Sequence, residues 1–230
     1  MRRTEPDATA QLYTRRGDTS FLSIQNIIGT FAAEQIFGSS ENCEELHKVL
    51  IDTWIVSDCD GILSDSRSIY NKDKKAFKTY GAYDKEAYLV AKALGMNFIF
   101  YTQDDAGYKI TRKRMRDFLE ANDFWMKFCF GGRYQRVKTI AELKGMYDRI
   151  GRPRTCKVYY FGDSISDVSI ANDGEKTFGK SADGLYAPRN APRFVKRFAD
   201  YVAPHNGGDG AFADMVWHII AEALRNLAIK

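Results

Sequence analysis

Residues 53–61 read Thr53-Trp54-Ile55-Val56-Ser57-Asp58-Cys59-Asp60-Gly61. An apolar run with β-branched residues ends abruptly at two carboxylates and a glycine. The run predicts a buried parallel strand, and in open α/β sheets ligands bind at the carboxyl ends of such strands. Asp58 and Asp60 are two residues apart, so an extended chain sends both side chains to one face. Gly61 then lets the backbone turn sharply. Two carboxylates this close repel; a cation between them, or a proton on one, makes the pair tolerable. Asp-x-Asp-Gly also opens calcium loops and ordinary turns. The EF-hand version fails: counted from Asp58, its loop needs glycine at position 6 and glutamate at position 12, where Leu63 and Ile69 stand.

On either side of this stretch, strand-like and helix-like segments alternate, which argues for a parallel sheet covered on both faces. Before it, residues 1–20 are polar and read as a loose arm. Residues 22–37 carry Leu22, Ile24, Ile27, Ile28, Phe31 and Ile36 at helical spacing. A second short helix at 41–50, begun by Ser39-Ser40, leads into the strand. After Gly61, residues 62–80 predict a β-hairpin around a lysine-rich turn. A helix at 84–94 closes on Gly95. The strand Asn97-Phe98-Ile99-Phe100-Tyr101 ends at Thr102-Gln103-Asp104-Asp105.

A helix is expected over 105–121, with Lys109, Arg112, Lys113, Arg114 and Arg116. A solvated helix face is the plain reading of that charge run, and a nucleic-acid patch the sharper one. Further expectations are a strand at 128–130, a helix at 137–150 and a strand at 157–161 that ends at Gly162-Asp163-Ser164. A small strand near 176–178, a segment at 191–199 and a strand at Tyr201-Val202 follow. A glycine-rich loop at 206–210 and a helix from Ala211 to about Leu227 come last.

Composition sets the frame. At 230 residues, 44% hydrophobic and 28% charged, the chain can bury a proper core. A formal charge of +4 is weak evidence for an anionic partner. No apolar stretch is long enough to span a bilayer. The first residues lack the apolar core of a signal peptide. Cys43, Cys59, Cys129 and Cys156 follow neither a paired nor a zinc spacing, so reduced thiols in a cytoplasmic protein are expected. Cys59 is expected to point into the core. His47, His205 and His218 form no ligand set.

Four polar clusters follow or lie near predicted strand ends: Asp58/Asp60, Thr102, Lys138 and Asp163/Asp167. Together at one sheet edge they make a coherent phosphoryl-transfer site. Carboxylates suit a hard cation such as Mg²⁺. A hydroxyl and an ammonium offset charge on the phosphoryl group. One carboxylate can attack phosphorus, and a second can move the leaving-group proton.

In order and spacing these residues resemble the haloacid dehalogenase-like (HAD) phosphohydrolase superfamily. Asp58-Cys59-Asp60-Gly61 looks like its first motif, Thr102 its second, Lys138 its third, and Gly162-Asp163-Ser164-Ile165-Ser166-Asp167 its fourth. The resemblance runs from about Thr53 onward. Residues 58–65, 162–168, Ala199-Asp200-Tyr201-Val202 and Gly207-Gly208-Asp209-Gly210-Ala211 further resemble the 3-deoxy-manno-octulosonate 8-phosphate phosphatases.

The resemblance implies a doubly wound α/β fold over 51–230, without a cap, preceded by a helical extension at 1–50. It implies a Mg²⁺-dependent phosphomonoesterase acting on a small phosphorylated sugar acid or sugar. Asp58 would be the nucleophile and Asp60 the general acid/base. Asp58, the Asp60 carbonyl and Asp163 would hold the metal, with Asp167 supporting. Thr102 and Lys138 would bind the phosphoryl group, and Ser57 and Ser164 would add hydrogen bonds. Arg133 and Arg136 stand near enough in sequence to fill the role of Lys138. The bland role of each aspartate is a turn or helix cap, and that suits Asp167 best.

The subgroup builds a tetramer through its hairpin, so a homotetramer is expected. The chain departs from the subgroup after Thr102, where Gln103-Asp104 replace Gly-Arg, and at Lys85 after Asp84. Two other readings stay open. One is a phosphatase of nucleotides or polynucleotide ends; the other is a catalytically silent assembly protein of the same fold.

Overall fold

The computed structural model describes residues 33–72, 75–102, 104, 106–118, 156–172 and 182–227. Expectations that fall on other residues lie outside the described set. Among them are the arm at 1–20, most of the helix at 22–37, Gln103, the elements at 128–130 and 137–150, Lys138 with Arg133 and Arg136, and the strand near 176–178.

Helix α1 (Ser40–Leu50) starts where the Ser39 hydroxyl accepts the Asn42 N–H at 3.2 Å. This side-chain cap satisfies one of the orphan donors of a helix start. A short helical stretch at 33–37 precedes it. Strand β1 (Thr53–Asp58) follows. It is buried from Thr53 to Ser57 and opens only at Asp58, as expected for a strand with both faces covered.

The hairpin is β2 (Ile69–Tyr70) and β3 (Lys75–Phe77), antiparallel and shorter than the 62–80 stretch it sits in. Helix α2 (Asp84–Ala93) ends before Gly95, whose φ of +86° permits the turn. Then come β4 (Asn97–Tyr101), α3 (Tyr108–Phe118), β5 (Lys157–Phe161) and α4 (Ile165–Asn172). The chain continues through β6 (Gly184–Ala187), α5 (Arg193–Phe198), β7 (Tyr201–Val202) and α6 (Ala211–Leu227).

The main sheet runs β4-β1-β5-β6-β7, every pairing parallel. Strand alternation separates its two faces. Phe98, Phe100 and Phe161 point one way, where Tyr88 of α2 packs on Phe98 and Phe100 and Phe212 of α6 on all three, with ring centroids 5.0–6.1 Å apart, and Tyr186 stacks on Phe161 at 5.7 Å. Tyr101 and Tyr160 point the other way, toward Asp167 of α4. The doubly wound α/β arrangement expected from the sequence is therefore the observed one. Leu46 and Leu50 of α1 are buried in the same core, and α1 packs on α6.

Strand β6 is the one element in the described sheet that the sequence reading missed. Among the described residues between Gly61 and Thr102 there are only the hairpin, α2 and β4, and too few residues for a large cap. No helix among the described residues is long and apolar enough to cross a membrane.

Candidate active site

Asp58 is the last residue of β1, and β1 lies between β4 and β5. Its neighbours in register are Tyr101 on β4 and, one residue earlier, Phe161 opposite Ser57 on β5. The three strands thus deliver Asp58, Thr102 and Asp163 to one sheet edge. Asp58 Oδ1 accepts the backbone N–H groups of Cys59 at 2.6 Å and Asp60 at 3.3 Å. The Ser57 hydroxyl donates to the Asp58 carbonyl at 2.8 Å. Cys59 points into the core and is fully buried.

One carboxylate oxygen from each of Asp58, Asp163 and Asp167 lies within 4.8 Å of the others. Burial raises the Asp58 carboxyl well above its ordinary range, and the charges of Asp167, Asp60 and Asp163 push it further. Asp163 is raised to about 6, first by burial and then by Asp167, against a 3.3 Å hydrogen bond from Ser66 Oγ. Crowded buried carboxylates are costly in the ionised form. A divalent cation would lift that cost, and an all-oxygen donor set suits a hard ion such as Mg²⁺.

The cluster can close up because two positions lack a Cβ. A Cβ on Gly61, whose φ is +90°, would lie 2.0 Å from Asp163 Oδ2. One on Gly162 would lie 2.3 Å from the Asp167 Cβ. A further glycine, Gly207, would put its Cβ 1.7 Å from the Gly61 carbonyl oxygen. The glycine-rich loop at 206–210 therefore sits directly on the turn that follows Asp60, and Gly208 donates its N–H to the Ile62 carbonyl at 2.9 Å.

Asp167 combines its bland and its chemical roles. Its Oδ2 accepts N–H groups from Asp163 at 3.0 Å and Ser164 at 2.8 Å, and the Ser164 hydroxyl at 2.6 Å. Ser164 Oγ in turn accepts the Asp167 N–H at 3.4 Å, so the two form a reciprocal cap on α4. Asp167 Oδ1 accepts from the hydroxyls of Tyr101 and of Tyr160, the latter at 3.1 Å. With both oxygens so engaged, Asp167 braces the cluster, while Asp58 and Asp163 are better placed to meet a cation.

Asp60 faces a different set. Its Oδ2 accepts the Thr102 hydroxyl at 2.6 Å. Its Oδ1 meets Lys78 Nζ at 2.5 Å and Ser64 Oγ at 3.3 Å. Lys78 also pairs with Asp104 at 2.7 Å, and Lys75 reaches the same Asp104 oxygen at 2.6 Å. Burial opposes the charge on Asp104, yet the two ammonium groups outweigh it and hold the carboxyl down at about 2. Lys78 is raised in turn: burial lowers it, and Asp60 and Asp104 more than reverse that.

Asp58, Asp60, Thr102, Asp163, Ser164 and Asp167 are thus neighbours in space. Lys138 lies outside the described residues. Lys78 escaped sequence reading because its partners come from distant parts of the chain and a lysine after a hairpin carries no local signal.

The fold of this chain is shared with solved structures described as phosphatases and as an HAD superfamily hydrolase. The chain is similar to a cobalt-bound deoxy-D-mannose-octulosonate 8-phosphate phosphatase from Haemophilus influenzae, at 20% identity and TM-score 0.55, covering 78% of this chain and 91% of that one. It is also similar to a 3-deoxy-D-manno-octulosonate 8-phosphate phosphatase from Moraxella catarrhalis in complex with magnesium, phosphate and 3-deoxy-D-manno-octulosonate (KDO). That match has 19% identity, TM-score 0.55 and coverage of 80% and 95%. A structure described as an HAD superfamily (subfamily III A) hydrolase from Legionella pneumophila matches at 18% identity and TM-score 0.58, covering 81% and 91%. At these identities the likeness shows the fold. A scan against protein-family models finds no match, and neither does a search of curated proteins.

Proposed function

We propose that this chain is a Mg²⁺-dependent phosphomonoester hydrolase that works through an aspartyl phosphate on Asp58. The observation that carries the reading is the meeting of the Asp58, Asp163 and Asp167 carboxylates at the ends of adjacent parallel strands, with Asp60 in the turn beside them bonded to Thr102. Bound between Asp58, the Asp60 carbonyl and Asp163, Mg²⁺ would neutralise phosphate charge and the crowded carboxylates. The chain's own residues do the rest. An Asp58 oxygen attacks phosphorus, and the bond from phosphorus to the ester oxygen breaks. The ester oxygen leaves with its electron pair and takes a proton from the Asp60 carboxyl. Asp60, now ionised, takes a proton from water as the water oxygen attacks the phosphorus. Inorganic phosphate departs and the Asp58 carboxylate is restored. Thr102 orients Asp60 or the phosphoryl group, and Lys138 would complete the phosphoryl grip.

The substrate we infer is a small phosphorylated sugar acid or sugar, such as KDO 8-phosphate. Support comes from the subgroup resemblance. Against a tight copy of that subgroup stands Asp104, where its arginine is expected; Lys75 and Lys78 neutralise this carboxylate. Exposed Lys109 and Lys113 on α3 favour, as a second reading, a nucleotide or a polynucleotide end. A homotetramer is proposed through the hairpin, whose Ile69, Tyr70 and Phe77 are 58%, 62% and 65% exposed. A monomeric mass by light scattering would remove it. Cys43, Cys59 and Cys156 carry no disulfide, which suits a cytoplasmic setting.

The test is phosphate release with and without Mg²⁺ across phosphorylated sugar acids, sugars, nucleotides and end-phosphorylated oligonucleotides. Metal-dependent release from one class is the expected result and selects the substrate. Asp58→Asn should remove turnover and leave the far-ultraviolet circular dichroism unchanged. Release that survives in a clean Asp58→Asn preparation excludes the aspartyl-phosphate route.

A further inference from the structure

We infer that Lys78 is a positioning residue that aims Asp60 at the leaving group, an inference that rests on the phosphatase reading above. Lys78 follows β3 directly, and its side chain is 2% exposed. An ammonium has three hydrogens to give. Here it meets three acceptors, Asp60 Oδ1 at 2.5 Å, Asp104 Oδ2 at 2.7 Å and Thr111 Oγ1 at 2.7 Å. These come from the turn after β1, the loop after β4 and helix α3. The three anchors leave the ammonium little freedom to swing away from Asp60.

Asp60 is therefore held from two directions, by Lys78 on Oδ1 and Thr102 on Oδ2. Such a grip fixes the plane of the carboxyl group. General acid catalysis depends on that plane, since the proton must arrive along the breaking bond. Asp104 takes up part of the ammonium's charge, so Lys78 orients Asp60 without acting on it as a lone cation. Tying the hairpin to the domain does not by itself require Lys78, because Lys75 already binds Asp104 from β3.

The distinction is measurable in the leaving-group dependence of kcat/KM, which reports the first phosphoryl transfer. A good leaving group such as 4-nitrophenolate departs without a proton, and a sugar alkoxide does not. With Lys78→Gln, kcat/KM for a sugar phosphate should fall ~100-fold while that for 4-nitrophenyl phosphate falls less than ~3-fold. A plot of log kcat/KM against leaving-group pKa should steepen accordingly. Asp104→Asn leaves Lys78 in place and removes one of its anchors. It should steepen the plot in the same direction by a smaller amount, and it keeps the test decisive if Lys78→Gln does not fold.

Equal losses for both substrates, or none, in the folded variants would assign Lys78 to the fold alone and overturn the inference while leaving the phosphatase reading standing. Absence of Asp58-dependent release from every substrate in the wild type would instead overturn the phosphatase reading and this inference with it.

Discussion

Asp84 is 1% exposed, and its Oδ2 has no hydrogen-bond partner among the described residues. Its Oδ1 accepts the Ala213 N–H at 3.2 Å, in the first turn of α6. Burial raises this carboxyl from 3.8 to about 6, partly offset by that N–H and by Arg114. Below about pH 4 the folded and unfolded chains both carry the proton. Between about pH 4 and 6 the unfolded chain ionises first, so stability falls as pH rises through that window. Above it the loss is complete, at ~3 kcal/mol. Asp84→Asn keeps the acceptor for Ala213 and removes the ionisation. Urea unfolding should show the variant more stable than wild type at pH 7.5, with the advantage gone near pH 4. An advantage that persists at pH 4 would point to packing instead.

At the scale of elements, two loops far apart in the sequence pack against each other beside the acidic cluster. The Gly61 turn must stay free of a Cβ for Asp163 to come close, and the Gly207-Gly208 loop must stay free of one to sit on that turn. Gly207→Ala should cost about 2–3 kcal/mol in chemical denaturation, because backbone rather than a flexible side chain stands in the way. Activity should fall with it. Ser39→Ala offers the contrast: loss of the α1 cap should cost ~1 kcal/mol and leave turnover unchanged, since α1 lies away from the sheet edge that carries Asp58.

The same scale explains what could be read in advance. Strands β1, β4 and β5 announce themselves as runs of bulky buried residues that break at polar ones. Asp58, Asp60 and Asp163 stand at those breaks. Strand β6 is Gly184-Leu185-Tyr186-Ala187, four residues led by a glycine, and its burial on both faces leaves no alternation to detect. The arrangement around Asp60 was hidden for another reason. Lys78, Asp104 and Thr111 become neighbours only when the hairpin, β4 and α3 are in place, and no spacing records that.

For the molecule as a whole, the acidic cluster sets ligand against fold. Asp58, Asp163 and Asp167 repel one another in the absence of a cation. Thermal unfolding should therefore shift upward on adding Mg²⁺, with ~2.7 kcal/mol gained when the ion stands at 100 times its Kd. Asp163→Asn should melt higher than wild type in a chelating buffer and lose most of the Mg²⁺ response. A wild-type melting temperature indifferent to Mg²⁺, Mn²⁺ and Ca²⁺ would argue against a cation site.

The seating of the Gly207-Gly208 loop on the Gly61 turn also orders events during synthesis. Asp58 is made before β5, β6 and β7, yet the turn that shapes its surroundings gains its brace only after those strands have been made. Contacts so distant along the chain form late. A nascent chain therefore carries Asp58 in an unfinished setting, and under the proposed function phosphoryl transfer would begin only once the later loop has docked.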